Sequence, residues 1–455
     1  MAGMSTSVGL VSGLDTKNLI AQLMQVEANP QSLLKNKLVA TNADGAGYRA
    51  VNLRFDSLRS AAAALATDAP WTAAKASSTH ASVTATAGPA ASAGSLTFTV
   101  DRLVTTHSVR SDVRTAPPGK TAAADTDFGA TSIDVKVGGT TTTIALDTDT
   151  NGTVTLTEAA DAINAKKDLG LTASVVRVAE GNYRLQLSTR TPGLAGRFEV
   201  TSGSPAFAPL TTGEDAQLTV GSGAGKYPVT SASNTFTGLL SNTTLTVSKE
   251  GETATVSVAR DTDATAAKVQ ALVDAANGAL QVVTDYTAKD SATATLKGDS
   301  TLRTLAGRVL DLVSSGVDEK SAATIGIQLT KDGKLSFDKA TFTAALAADP
   351  AATRTFLTAT SGTGTGARPV GLAARIEELA RGASDATTGS LTLLAKSTET
   401  TAKDLSSRIA DWDTRLAMRE DALTRQFTAM EKALGALSNK SNWLAGQLAG
   451  LPSWS

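Results

Sequence analysis

From Lys396 to Leu451 the chain runs without a proline, and its larger side chains keep a helical beat. Leu405, Ile409, Trp412, Leu416, Arg419, Leu423, Phe427, Met430, Leu434, Leu437, Ser441, Leu444, Leu448 and Leu451 recur in steps of four and three. The one departure, 419 to 423 to 427, is a stutter, a local unwinding of a coiled coil rather than a loss of pattern. At 1.5 Å per residue the segment makes a rod of roughly 70–80 Å. No small domain buries a seam of that length. It requires a helical partner: the N-terminal helices, a second copy, or another protein.

The other end of the chain offers a mate. "VSGLDTKNLIAQLMQVEANP", starting at Val11, places Asp15 as an N-cap and aligns Leu19, Leu23 and Val26 on one helical face. Pro30 is expected to end or kink this helix. A secretory signal needs a basic start and a continuous apolar run, and the segment has neither, so the helix is expected in the mature protein. After an expected break at Asp44–Ala46, Tyr48, Val51, Phe55, Leu58, Ala62 and Leu65 predict a second amphipathic helix.

Between the helical ends the character changes. With 455 residues, two to four domains are expected. From about Ser77 to Arg260 the chain turns to Thr, Ser, Gly, Ala and Val, and period-2 strands appear at Leu96–Val100, Ile133–Val137, Leu185–Leu187, Leu245–Val247 and Val256–Val258. Gly138-Gly139, Glu180–Asn182 and Glu250-Gly251 supply turns, and one short helix is expected near Glu158–Lys167. Helix resumes at Asp263, with Val269, Leu272, Val273, Ala276, Leu280 and Val283 on one face. Another follows Asp299-Ser300, a hairpin turns at Asp332-Gly333, and Asp349-Pro350 starts a capped helix. The fold class is α+β multidomain, with paired N- and C-terminal coiled-coil helices, a further helical domain and inserted β-rich domains.

Composition closes several routes. Lys+Arg 42 against Asp+Glu 43 gives a net charge of −1, without the basic footprint of a nucleic-acid binder. No apolar run reaches the roughly 18–20 residues of a membrane span. There is no cysteine for disulfides, thiolate metal sites or thiol chemistry. His80 and His107 are the only histidines, and a Ser/His/Asp triad through either competes with a plain surface or turn position, which the Thr/Ser-rich surroundings favour. "VGSGAGKYP" at Val220–Pro228 approaches a P-loop but has Val220 where the first glycine belongs and Tyr227 where the magnesium hydroxyl belongs, so it reads as a hairpin loop. "GTGTG" at Gly362–Gly366 reads as a linker. No cofactor and no bond chemistry are expected.

One stretch carries a metal pattern. "DTDTNGTVTLTE" satisfies D-x-[DN]-x-[DN]-G-x5-E, with Asp147, Asp149, Asn151, the Thr153 carbonyl and Glu158 as calcium ligands. The segment before it reads as a strand, which excludes a paired EF-hand and leaves at most a weak calcium site, on the order of 0.1–1 mM. The competing reading is a polar strand-to-helix loop, with Thr155 and Glu158 at capping-box spacing.

Several stretches, in order along the chain, resemble one family. They are "GLVSGLDTKNLIAQLMQVEANP" (Gly9–Pro30), "GSLTFTVDRLVTTHSV" (Gly94–Val109), "EAADAINAKKDLGLTASVVRVAEGNYRLQLSTR" (Glu158–Arg190), "LKGDSTLRTLAGRV" (Leu296–Val309), "IGIQLTKDGKLSFDKATFTAALAADPAATRTFL" (Ile325–Leu357) and "LGALSNKSNWLAGQL" (Leu434–Leu448). The set is similar to the flagellar filament cap family, hook-associated protein 2 or FliD. The resemblance implies terminal helices contacting flagellin at 1–42 and 430–455, and a helical leg domain with a small hairpin at 43–76 and 261–429. It further implies a β-rich head domain at 77–105 and 214–260, and an inserted outer β-rich head domain at 106–213. Its implied partners are copies of itself in a ring of commonly five, flagellin, hook–filament junction proteins, the type III export apparatus and a cytosolic export chaperone. Localisation would be extracellular at the flagellum tip, reached without a cleaved signal. Leu14, Leu19, Leu23, Val26, Leu434, Leu437, Trp443, Leu444 and Leu448 would grip flagellin or self, with Trp454 a further anchor. The alternative is a surface adhesin whose β-rich tip binds host or mucin glycans.

Overall fold

A computed structural model describes residues 15–202, 205–362 and 368–449. The chain forms two compact units, one from its two ends (Met1–Thr67 with Ala266–Ser455) and one from its middle (Asp68–Thr265).

The unit made from the ends is helical. α1 is Thr16–Glu27, α2 Asn29–Ala66, α4 Thr262–Thr287, α5 Ser300–Ser314, α6 Lys339–Ala348, α7 Pro350–Thr358, α8 Leu372–Ser384 and α9 Ser390–Ala449. The 3–4 spacing in the second half of α2 puts Val51, Phe55, Leu58, Ala62 and Leu65 at 0–1% exposure, against α8 and α9. Each large side chain of this kind stabilises by about 1.5–3 kcal/mol. The α4 face read from the sequence is likewise buried. The expected hairpin is present, pairing Ile327–Leu329 with Leu335–Phe337. Asn277 of α4 fixes it by accepting from Leu335 N and donating to its carbonyl, both at 2.8 Å. Asp299, Asp338 and Asp349 cap α5, α6 and α7 by accepting from backbone N–H groups. Asp299 also takes the Tyr48 hydroxyl proton in a 2.7 Å bond, which ties α2 to the start of α5. That bond and burial hold the phenol well above its ordinary pKa, burial being the larger cause.

The middle unit holds two β-rich modules with separate cores. In the first, an antiparallel five-stranded sheet runs in the order Ala74–Ser78, Thr253–Arg260, Gly94–Arg102, Ala216–Val220, Tyr227–Ser231. It shares a core with the three strands Thr235–Thr237, Thr243–Val247 and Val83–Ala87. Alternation explains the sheet: Phe98 and Val100 point inward at 0% exposure, while Thr97 and Thr99 point outward and bond the hydroxyls of Thr255 and Thr253 at 2.8 Å. The second module spans Val109–Phe198, where α3 (Leu156–Ala165) and two small sheets enclose Phe128, Ile133, Ile144, Leu156, Ile163 and Leu185.

Three sequence expectations need correction. Asp44–Ala46 does not break the helix, because α2 runs through it. Gly45, inside the expected break, and Gly47 just after it serve close approach instead. A β-carbon on Gly45 would lie 2.9 Å from Thr398 Oγ1 of α9, and one on Gly47 would lie 2.9 Å from Leu296 Cδ1 and 3.0 Å from Tyr286 Cδ1. Boundaries at 42/43 and 429/430 fall inside continuous helices, α2 and α9. His107 is not a surface residue: it is 7% exposed, set edge-to-face on Phe198 with ring centroids 5.0 Å apart.

Replacing Gly47 with Val should therefore lower the stability of the helical unit by about 2 kcal/mol, overpacking outweighing any gain in helix propensity. Urea unfolding followed by circular dichroism measures it; an unchanged midpoint would mean that the approach at Gly47 is not tight.

Candidate assembly surface

The two chain ends meet as an antiparallel helix pair. Their partners rise on one helix as they fall on the other: Glu27 with Arg419, Gln31 with Asp413, Gly45 with Thr398, Asn52 with Thr392. Gln31 is 5% exposed, and its Nε2 donates to Asp413 Oδ1 at 2.5 Å and to the Ile409 carbonyl at 3.3 Å. A buried amide satisfied in one alignment only penalises every other register. On the outer side of α9, Glu399–Lys403 and Asp421–Arg425 are ion pairs at i,i+4, in the order that favours a helix.

Burial is lost toward the C-terminal end of α9. Leu391 and Leu405 are 0% and 2% exposed, and Leu423 is 7%. Ile409, Trp412, Leu416, Phe427, Met430 and Leu434 are half-buried. Beyond them Leu437, Trp443, Leu444 and Leu448 are 65%, 66%, 55% and 61% exposed. The structure thus leaves four of the expected C-terminal contact residues bare and Leu434 at the margin.

On α1 the expected face is the outer one. Leu19, Leu23 and Val26 are 43%, 42% and 67% exposed, and α1 has no buried residue. Ile20 and Met24 are the half-buried apolar side chains, one position on from the face chosen from the sequence. The signal for them was there, since 20, 24, 27 and 31 keep the same 4-3-4 spacing and end on buried Gln31. Leu33 and Val39 of α2, 70% and 69% exposed, add to the outer apolar surface and were missed in the sequence. Leu14, Leu451, Trp454 and the centre of the GTGTG loop lie outside the described residues.

The residues of the calcium pattern do not converge. Asp149 accepts from Asn151, Asn151 Oδ1 accepts from Thr153 N at 2.8 Å, and Asp147 Oδ2 accepts from Gly152 N at 3.0 Å. Glu158 turns away to receive Thr155 N at 2.8 Å while Thr155 Oγ1 receives Glu158 N, a complete capping box on α3. Among the described residues no group of three or more His, Cys, Asp or Glu is placed to hold a metal ion. His80 sits between Glu252, 2.9 Å from Nε2, and Ser82, 3.0 Å from Nδ1. Ser82 is two residues along the same turn, so this is local turn closure, not a nucleophile presented to a cleft. Val220–Pro228 is the tip of a hairpin, joining the strands Ala216–Val220 and Tyr227–Ser231. No helix among the described residues is long and apolar enough to cross a membrane.

The family described as flagellar hook-associated protein 2 matches with its N-terminal part at residues 12–107 and with its C-terminal part at 213–439. The lateral flagellar hook-associated protein 2 of Vibrio parahaemolyticus is 28% identical over 57% of this chain, which spans 62% of that relative's length. The B-type protein of Pseudomonas aeruginosa is 25% identical over 99% of this chain and 98% of its own. Hook-associated protein 2 of Escherichia coli K12 is 26% identical over 77% and 79%. The crystal structure of the D1-D2-D3 domains of the Escherichia coli flagellar cap protein FliD shares the fold, with a TM-score of 0.56 at 24% identity over 78% of this chain and 99% of that one.

Two outcomes follow from the geometry. Leu423→Ala should destabilise the helical unit by about 2–3 kcal/mol, whereas Leu437→Ser should change it by less than about 0.5 kcal/mol, both read by urea unfolding. Thr155→Ala should cost about 1 kcal/mol, equally in EDTA and in millimolar calcium, because the loop spends Glu158 on its cap. A calcium-dependent difference between those two titrations would restore the metal reading.

Proposed function

This chain belongs to the flagellar hook-associated protein 2 family, and from that premise we propose that it caps the growing filament. Copies of the chain assemble as a ring at the distal end, retain exported flagellin, and promote its folding and polymerisation. The chain does no bond chemistry in this role. Export runs through the flagellar type III apparatus with a cytosolic chaperone, and the ring first seats on hook–filament junction proteins.

The carrying observation is the bare apolar end of α9: Leu437, Trp443, Leu444 and Leu448 lie on a helix whose other end is anchored in a core. Apolar side chains kept in water on a rigid element mark an interaction surface, and amphipathic helices dock by such i, i+3, i+4, i+7 anchors. Flagellin, whose terminal helices are apolar before they are packed into the filament, is the occupant this reading assigns.

Removing the gene and returning variants tests it. The native chain should restore swimming. A variant with Leu437, Trp443, Leu444 and Leu448 all changed to Ser should be exported and folded, yet leave flagellin in the medium and filaments short or absent. Normal filaments from that variant would overturn the assigned surface. Intact filaments with lost adhesion in the gene deletion would overturn the cap and favour the adhesin.

A further inference from the structure

We propose that Asn151-Gly152 is a self-modifying site: the native fold promotes loss of the Asn151 side-chain amide as ammonia and leaves an aspartyl or isoaspartyl bond in its place. The reaction needs only this chain and water, and it does not depend on the cap reading.

The contrast between two like dipeptides carries the inference. In any Asn-Gly pair the side-chain carbonyl carbon can be reached by the next backbone nitrogen in a small ring, and glycine brings no side chain to obstruct that closure. The sequence has Asn-Gly twice, at 151–152 and at 277–278, and the fold treats the two oppositely. Asn277-Gly278 lies inside α4, where the Gly278 N–H belongs to the helix ladder. Both ends of the Asn277 amide are held there by the Leu335 backbone at 2.8 Å. Asn151-Gly152 lies in the loop between the strand Thr140–Ala145 and α3, exposed to the water that the second step consumes. Nothing stands within 4 Å of where a β-carbon on Gly152 would be, so the ring has room to close.

Each atom that must react at Asn151 has a fitting partner. Asp147 Oδ2 accepts from Gly152 N at 3.0 Å, which sets a carboxylate base on the nitrogen that has to lose its proton. The other oxygen of that carboxylate, Oδ1, is buried without a hydrogen-bond partner, so no second donor competes for its charge. Asn151 Oδ1 accepts from both Thr153 N and Thr153 Oγ1, each at 2.8 Å. Two donors thus already face the oxygen that becomes negative when the carbon is attacked. Asn151 Nδ2, the leaving nitrogen, donates to Asp149 Oδ2 at 2.7 Å. A carboxylate only accepts, so this bond fixes the amide with its oxygen, not its nitrogen, toward Thr153.

The steps balance. Asp147 takes the Gly152 proton as that nitrogen bonds to Asn151 Cγ, and the carbonyl electron pair moves onto Oδ1 between the Thr153 donors. The carbonyl re-forms, the Cγ–Nδ2 bond breaks, and the proton held by Asp147 passes through water to the nitrogen, which leaves as ammonia. Water then opens the cyclic imide at either carbonyl, giving aspartate or an isoaspartate that carries one more carbon in the backbone. Either product replaces a neutral amide with a carboxylate beside Asp147 and Asp149 and removes the Nδ2 donor. The closed loop ahead of α3 therefore loosens as the protein ages.

Peptide mapping by mass spectrometry tests this on the full chain, kept at neutral pH either folded or in urea. Conversion at Asn151 should run at least about tenfold faster in the folded chain than in urea. Asn277 should show the opposite order, reacting in urea and staying intact in the fold. In the folded chain Asp147→Asn should slow Asn151 at least about tenfold, and so should Thr153→Val, while Thr153→Ser keeps the native rate. In urea all three variants should match the native chain, and circular dichroism confirms which of them are folded. Conversion of Asn151 no faster in the folded native chain than in urea overturns the proposal, whatever the variants do. Native rates in folded Asp147→Asn and Thr153→Val overturn the assigned base and oxygen donors.

Discussion

Everything in the helical unit depends on one contact, the antiparallel packing of α2 against α9. A 60-residue helix has no intrinsic reason to stay single in water, and most helical stability comes from a covered face rather than from propensity. α2 supplies that cover from the opposite end of the sequence. The approach is close because Gly45 and Gly47 carry no side chain there, and the alignment is unique because Gln31 finds its partners in one register. The price is a large loop to close, the residues between Ala66 and Ser390, but loop-closure entropy grows only logarithmically with length. A middle unit with its own cores makes that loop cheaper still, since it folds as a unit rather than dangling as coil.

The middle unit folds by a different physics. Its aromatics are few, and its cores are built from Val, Ile, Leu and Ala, with Phe98 and Phe236 buried in one module and Phe128 and Phe198 in the other. The outward face is threonine, whose β-branched stem favours an extended backbone and whose hydroxyl bonds across strands, as between Thr97 and Thr255. Such a surface is polar without being charged. It stays in water without the long-range repulsion that a ring of like-charged copies would have to overcome.

The parts of this fold that were legible in the sequence are those decided by local chemistry. Caps at Asp15, Asp299 and Asp349, the buried stripes of α2 and α4, the Asp332-Gly333 hairpin and the alternation around Phe98 all follow from spacing. What was less legible was decided by tertiary contact. Gly45 read as part of a helix break because its use, a neighbour within contact of where a β-carbon would be, lies far off in sequence at Thr398. The apolar stripe of α1 is broad, and periodicity alone gives no means of choosing whether its Leu19/Leu23 edge or its Ile20/Met24 edge meets α9. The calcium pattern matched at every position, yet a pattern specifies residue types and not where they point; the same Glu158 serves equally as ligand or as N3 of a capping box, and here it closes the capping box.

Rigidity links the legible core to the candidate surface. Leu405 sits in the core and Leu444 stands in water, 39 residues apart on one helix, which is about 60 Å of lever. A helix cannot slide one end without the other, so the register pinned by Gln31 and Asp413 also fixes where Trp443 and Leu444 stand and which way they face. A flexible tether would deliver the same apolar residues with no such control and would lose conformational entropy on each docking event. A surface that must engage, release and engage again gains from weak contacts held in a preset position. That is why the exposed end of α9 belongs on a rod rooted in a core.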